Sequence, residues 1–241
     1  MQSLLNLVID VGNTRIKAAA FSGKELVEKH LFDSSDQVHD FLKGSTYNNV
    51  IVSSVRNAPE ELLGLVNAQN KKLIVSRQLH LPVIILYTTP DTLGIDRLAA
   101  ACGAVDMFPN RDCLVIDAGT CINYEFVDKV GNYYGGAISP GIQMRFKAMY
   151  TFTERLPLVD AVNEPDLTGG NTIACMQSGV INGVVAEADG IISQYKEKYP
   201  NIAVVLCGGD GIFFENKLKH SIFATPDLVL RGLNLILLHN V

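Results

Sequence analysis

The chain has 241 residues, 48% of them apolar, with 20 Lys+Arg against 25 Asp+Glu and a formal net charge of −5. Folding a chain of this size removes about 72% of its unfolded surface from water, enough to build a core without disulfides. The absence of any Lys/Arg-rich run removes the electrostatic footprint of general nucleic-acid binding, and no apolar stretch approaches the ~20 residues that span a bilayer. The run Leu228 to Leu238 is broken by Arg231. Cys102, Cys113, Cys121, Cys175 and Cys207 are odd in number and form no C-x-x-C pair, a pattern of reduced core thiols. With no basic N-terminal region, the expectation is a cytoplasmic, unanchored protein with neither nucleic acid nor membrane as partner.

In chain order the first element is an apolar strand, Leu7-Val8-Ile9, ending in Asp10 and followed by Val11-Gly12-Asn13-Thr14. Strand-like runs Ile16 to Phe21 and Leu26 to Phe32 follow, separated by the turn signal Ser22-Gly23-Lys24. A short helix is predicted over Asp36 to Lys43, then buried strands at Val50 to Val52, Leu73 to Val75 and Val83 to Leu86. Ile95, Leu98, Cys102 and Val105 make a helical stripe that begins near Gly94.

Phe108-Pro109-Asn110-Arg111-Asp112 is a turn-rich break, and after it the opening pattern returns. Leu114-Val115-Ile116-Asp117-Ala118-Gly119-Thr120 echoes the first strand and loop, with strand-like runs Ile122 to Val127 and Tyr133 to Ile138 behind it. Ile173, Met176, Val180, Val184, Ala188 and Ile191 define a long helix, and Ala203 to Cys207 a buried strand. Alternating helices and apolar strands predict α/β layers. Two related halves are expected, over residues 1–110 and 111–241.

Each copy of the loop ends an apolar strand in an acid and turns through glycine to a hydroxyl. That set suits a polyphosphate: glycine lets backbone N–H groups approach, threonine adds a donor, and the carboxylate holds a cation or its waters. A single D-x-G-x-T would be no more than a tight hairpin whose Asp bonds turn amides; two copies opening similar strand units argue for a pair of phosphate loops. Neither a Walker loop nor G-x-G-x-x-G is present. Cys207-Gly208-Gly209-Asp210-Gly211 is a glycine turn where a flat base or ribose could approach the backbone.

Leu93-Gly94-Ile95-Asp96-Arg97 puts an acid and a base in the first turn of a helix. The helix dipole favours an ionised Asp96 there, able to take a proton from an alcohol, and Arg97 can pair with a carboxylate or phosphate. The plainer alternative is an ordinary helix start with a solvated arginine.

Asp10-Val-Gly-Asn-Thr14, Tyr87-x-x-Pro90-x-x-Leu-Gly-x-Asp96-Arg97, Asp117-Ala-Gly-Thr120, Gly135-Gly-x-Ile-x-Pro140-Gly141 and Gly170-Asn171-Thr172 stand in one order from about residue 7 to residue 211. This order resembles type III pantothenate kinase, within the actin and sugar kinase superfamily. The resemblance implies two similar ribonuclease H-like, actin-like ATPase domains, each a mixed sheet flanked by helices, with the site in the cleft between them. It implies ATP-dependent phosphorylation of pantothenate, the first step toward coenzyme A.

By the same resemblance Asp96 is the catalytic aspartate, which takes the proton from the primary hydroxyl, and Tyr87, Gly94, Arg97 and Thr172 contact pantothenate. Asp10 holds magnesium; Gly12, Asn13, Thr14, Gly119 and Thr120 line the ATP phosphates. Lys17 is either a further phosphate contact or a solvated strand lysine. Asp117 is the ligand for a monovalent cation, potassium or ammonium. The family forms homodimers, with Thr172 placed to reach a site across the subunit boundary.

The chain departs from the usual family pattern at Cys121, Asn123 and Glu125 after the second loop and at Thr89 before Pro90. Gly179 and Gly183 share a helix face and serve either a dimer contact or packing within one subunit. The competing functions are a catalytically silent relative acting as a transcription accessory factor, and another small-molecule kinase on the same fold.

Overall fold

The computed structural model describes residues 5–12, 14–54 and 59–241. Their elements are β1 (Asn6–Val11), β2 (Ile16–Ser22), β3 (Glu25–Phe32), α1 (Ser35–Leu42), β4 (Thr46–Tyr47), β5 (Val50–Ser54), α2 (Pro59–Leu65), β6 (Asn67–Ala68), β7 (Lys72–Ile74) and β8 (Ile84–Ile85). After a 3₁₀ turn at Pro90–Thr92 come α3 (Ile95–Met107), β9 (Cys113–Ala118), β10 (Cys121–Val127), β11 (Asn132–Pro140), α4 (Ile142–Phe152) and α5 (Thr172–Lys198). The chain closes with β12 (Ala203–Cys207), α6 (Gly211–Glu215), β13 (Phe223–Ala224) and α7 (Leu228–Leu238).

One compact unit gathers Met1–Asn110, Val127–Tyr134 and Asp227–Val241; the other is Arg111–Phe126 with Gly135–Pro226. The sheet of the first unit runs β3-β2-β1-β5-β7, with β1–β2 and β2–β3 antiparallel and β1–β5 and β5–β7 parallel. The other sheet runs β8-β11-β10-β9-β12-β13, with β12 parallel to β9 and to β13 and with β8 added at its edge, parallel to β11. Apart from β8 the two orders match, so the repeat seen in the sequence is a repeat of topology. Such mixed sheets with helical crossovers are the expected α/β architecture.

Local chemistry explains the boundaries. Gly23 turns β2 into β3 at φ +58, and Gly131 turns β10 into β11 at φ +88, a conformation glycine adopts without a Cβ clash. Asp128 ties the second turn by accepting from the Val130 and Asn132 amides at 3.0 and 2.9 Å. Asn110, in the predicted break, stands at φ 60, which asparagine tolerates better than most residues. Helix α1 starts on Ser34, which accepts from the Gln37 amide, while the Gln37 side chain accepts from the Asp33 amide, a close variant of a capping box. Asn171 caps α5 by accepting from the Ala174 amide at 3.0 Å, and Lys196 and Lys198 sit in its last turn, where the helix dipole favours cations.

Along β1 the side chains alternate between two buried faces. Leu7, Ile9 and Val11 join Ala18, Val50 and Val52 under α1 and α2 in one core. Val8 and Asp10 point to the opposite face, on which α7 packs against β1, β5 and β2. The core of the second unit sets Leu114, Ile116, Tyr124 and Leu206 against Phe146 of α4 and Val180, Val184 and Ala188 of α5.

Four expectations are corrected. The division at residue 110 does not separate two continuous halves, because α7 belongs to the first unit. It packs on α3 through small residues: a Cβ on Gly103 would stand 2.6 Å from the Leu228 carbonyl, and one on Gly232 would overlap the Ala99 carbonyl. Segment Val127–Tyr134 also joins that unit, since Asn132 and Tyr133 pair with β8. The cysteines are free, but only Cys102, Cys113 and Cys207 are core residues; Cys121 is half-buried and Cys175 exposed. Gly179 and Gly183 lie exposed with open space before them, which removes packing within one subunit as their purpose. Finally, α2, α4 and α7 add helices that periodicity did not pick out. Among the described residues no helix is long and apolar enough to cross a membrane.

Candidate active site

The first loop leaves β1 at its C-terminal end, where Asp10 is only 7% exposed. The Gly12 amide donates to the Arg15 carbonyl at 3.1 Å, closing a tight turn, and a Cβ on Gly12 would press on that carbonyl at 3.2 Å. Thr14 is exposed and Lys17 half-buried; Asn13 lies outside the described residues. Asp10 is in register with Lys17 of β2 and Ser53 of β5. Registered neighbours on adjacent strands share a face, so an ammonium and a hydroxyl flank the carboxylate. The sequence reading overlooked Ser53, although it ends the apolar run Val50-Ile51-Val52 as Asp10 ends Leu7-Val8-Ile9.

The acceptor block lies in the same unit. Gly94 is the N-cap of α3, and the Asp96 carboxylate folds back to accept from the Arg97 amide at 2.9 Å. A Cβ on Gly94 would stand 2.5 Å from Asp96 Oδ1, so glycine makes the room in which the carboxylate is held. Arg97 is 7% exposed, and its guanidinium carbon lies 5.6 Å from the centre of the Tyr87 ring. Tyr87 is in turn tilted against Tyr133, centroids 6.4 Å apart. Thr89, the family departure, accepts from the Thr92 hydroxyl at 3.0 Å and steadies the 3₁₀ turn leading into α3. The structure therefore brings together Tyr87, Gly94, Asp96 and Arg97.

In the second unit Asp117 and Ala118 end β9. The Gly119 amide donates to the Cys121 carbonyl at 2.9 Å, and the Gly141 amide donates to the Thr120 carbonyl at 3.1 Å. Gly141 lies so close that a Cβ would overlap the Gly119 carbonyl. The Gly208 turn covers the loop from β12: at φ +89, its Cβ position is 2.5 Å from Asp117 Oδ1, and Asp210, two residues on, donates its amide to the Ala118 carbonyl at 2.9 Å. Burial raises the Asp210 carboxyl above its ordinary value. Thr172, the first residue of α5, is exposed beside the Asn171 cap.

A half-buried ion network braces this loop. Arg145 of α4 donates to the Pro140 carbonyl at 2.9 Å, to Ser139 Oγ at 2.8 Å and to Glu187 of α5 at 2.6 Å. The fully buried Tyr124 donates its hydroxyl to Glu187 at 3.2 Å. Burial pushes the Glu187 carboxyl up, but hydrogen bonds from Arg145 and Ser139, the Arg145 charge and the Tyr124 hydroxyl outweigh it and hold the group below its ordinary value. Burial, with Glu187 beside it, pushes the Tyr124 phenol up. No motif in the sequence pointed to Arg145, Glu187 or Tyr124.

Among the described residues no three His, Cys, Asp or Glu side chains converge on a metal position. Magnesium carried by a nucleotide does not require them: it binds one or two carboxylates and takes its other ligands from phosphates and water. A lone acid at Asp10 beside an orphaned buried hydroxyl, Ser53 Oγ, fits that chemistry.

Residues 6–194 match the family model for type III pantothenate kinase. A type III pantothenate kinase of Bacteroides fragilis (strain YCH46) is 45% identical over 240 residues, covering 98% of both chains. Among solved structures, a conserved Baf-family protein of Campylobacter jejuni that carries a transcriptional-activator name superposes with a TM-score of 0.63 at 23% identity, over 97% of this chain and 98% of that one. A ROK hexokinase of Thermus thermophilus gives a TM-score of 0.52 at 13% identity, over 97% and 98%. At those identities the likeness is one of fold, here that of the actin-like and sugar kinase ATPases.

Proposed function

We propose a division of labour among the site residues of this chain, which belongs to the type III pantothenate kinase family. Its activity is ATP-dependent phosphorylation of pantothenate. A primary hydroxyl must lose its proton as it attacks the γ-phosphorus in line, ADP leaving on the opposite side. Asp96 takes that proton: it stands in the first turn of α3, where the dipole favours a carboxylate, and the Arg97 amide fixes its orientation. Arg97, stacked on Tyr87, pairs with the pantothenate carboxylate; Gly94 leaves the acceptor room beside Asp96. Thr172 adds a hydroxyl contact. The observation that carries this reading is the Gly94, Asp96, Arg97 and Tyr87 cluster.

Gly12, Asn13, Thr14 and Lys17 in the first loop, and Gly119 and Thr120 in the second, contact the ATP phosphates. Magnesium neutralises phosphate charge when bound, and Asp10 is the residue that would hold it. Asp117, beneath the Gly208 turn, would hold a potassium or ammonium ion.

The same reading makes the chain a homodimer of the cytoplasm. Its support is the apolar surface of the second unit, where Phe152 is 85%, Leu167 83% and Ile173 49% exposed, together with the open space before Gly179 and Gly183. Sedimentation should give twice the 26.2 kDa chain mass; a monomer at micromolar concentration refutes the dimer.

The deciding experiment is the purified protein with ATP, magnesium, potassium and pantothenate, assayed for phosphopantothenate. Asp96→Asn should lower kcat by about 10²–10⁴-fold, the range for a general base, and keep cooperative unfolding. Full activity in that variant removes Asp96 from the chemistry.

A further inference from the structure

Ser53 is 1% exposed, and its hydroxyl has no hydrogen-bond partner among the described residues. A buried hydroxyl left unpaired is costly, and such groups are ordinarily satisfied by protein or by ordered water. The sheet register puts this one beside Asp10, on the same face and at the same C-terminal edge of β1 and β5. Its neighbours toward the strand starts, Ile51 and Val8, are fully buried apolar residues, so water inside the sheet gives it no partner. The polar side chain that the register sets beside it is Asp10, at the end of β1 from which the first loop leaves.

We propose that Ser53 Oγ is a positioning residue that hydrogen-bonds a water molecule of the magnesium ion held at Asp10. The proposal rests on the assignment of that ion to Asp10. Magnesium keeps several of its waters, and each needs an acceptor fixed by the protein. One carboxylate cannot orient the whole hydration shell. A rigid hydroxyl on the adjacent strand supplies a second fixed point, and serine costs little rotamer entropy to hold there. Lys17, in register on the other side of Asp10, carries no acceptor and cannot take this part.

Manganese serves as the probe, its binding followed by electron paramagnetic resonance with ADP present. Ser53→Ala should weaken manganese binding by ~10-fold or more, the usual effect of losing a group that orients a metal's ligands. Ser53→Cys keeps the side-chain volume with a weak hydrogen-bonding group, and should lose affinity as Ser53→Ala does. The Tm of Ser53→Ala without metal or nucleotide should equal or exceed that of the parent, because an orphan polar group has been removed, while the Tm gain on adding magnesium and ADP should shrink.

Parental manganese affinity in Ser53→Ala, with binding lost in Asp10→Asn, overturns the role of Ser53 and leaves the Asp10 assignment standing. Parental affinity in Asp10→Asn overturns the metal assignment and this proposal with it. A loss in Ser53→Ala that Ser53→Cys restores fully makes the residue a matter of packing and also overturns the proposal.

Discussion

The guanidinium of Arg97 rests on the Tyr87 ring at 5.6 Å, although ten residues separate them and the arginine is almost fully buried. A buried arginine is held in one orientation only when its plane is supported, and the ring supplies that support. Tyr87→Ala should therefore raise KM for pantothenate about 10-fold while kcat changes less, and Tyr87→Phe, which keeps the ring, should stay near the parent. Arg97→Lys keeps the charge without the planar fork and should cost more, on the order of 10–100-fold in kcat/KM. Steady-state kinetics with pantothenate varied at saturating ATP separates these. A Tyr87→Ala enzyme with parental KM would mean that the stack does not orient the acceptor group.

Gly94 has no positive φ, so its need for glycine is a matter of space, not of backbone conformation. A methyl group there meets Asp96 Oδ1 at 2.5 Å. Gly94→Ala should push the carboxylate off its position and lower kcat by ~10–100-fold, a displacement effect of the size expected when reacting groups are moved by about 1 Å. Thermal unfolding should shift little, because α3 keeps its length and its packing on α7. A kinetically silent Gly94→Ala would show that the carboxylate can work from another rotamer.

Gly208 and Gly209 are adjacent and make a control pair. A Cβ on Gly208 meets Asp117 Oδ1 and the Ala118 backbone at a φ of +89, whereas one on Gly209 meets nothing within 4 Å. Gly208→Ala should lose about 2–4 kcal/mol of stability from strain and displaced backbone and abolish any difference in rate between potassium and sodium. Gly209→Ala should leave both unchanged. Denaturant melts and rates in the two salts test this, and an unaltered cation response in a folded Gly208→Ala protein counts against Asp117 as the cation ligand.

Glu187 predicts a pH dependence of stability. Its folded value lies below the ordinary 4.5, so near that pH the unfolded chain binds more protons than the folded one. The stabilisation it contributes is complete above pH 4.5 and disappears as pH falls through the lower, folded value. Glu187→Gln should cost about 1–3 kcal/mol at neutral pH, as the Arg145 hydrogen bonds lose their charged acceptor, and should flatten the loss as pH falls below 4.5. Equal slopes for parent and variant across that range would assign the acid sensitivity elsewhere.

The parts of this molecule that were legible in its sequence are those written locally. Asp10 and Asp117 each end a run of apolar residues and precede a glycine, and the three strands that open each half follow from short alternating runs with turn residues between them. Helix α7 escaped because Leu228 to Leu238 is a short, mostly apolar run of a kind that a buried strand and a buried helix share; its close fit on α3, made by Gly103 of α3 and Gly232 of α7, depends on a partner distant in the chain. Glu187 and Tyr124 are 63 residues apart and meet only once α5 lies on the second sheet. Ser53 carried a weak signal, a polar residue at the end of a buried strand, but its importance depends on which strand lies beside it. In each case the missing information is a long-range contact, which no window along the chain contains.

The placement of α7 also bears on how the protein is made. The first unit contains Met1–Asn110, yet the helix that covers the Asp10 face of its sheet is Leu228–Leu238. At a synthesis rate of about 5–20 residues per second, that face waits on the order of ten seconds after residue 110 has been added before its covering helix exists. During that interval the nascent chain presents Val8, Ile51 and the alanine-rich flank of α3 to water, a surface suited to a holding chaperone. Moving α7 by circular permutation to follow α3 directly would let the first unit close early, and the length of that wait would become an adjustable property of the gene's layout.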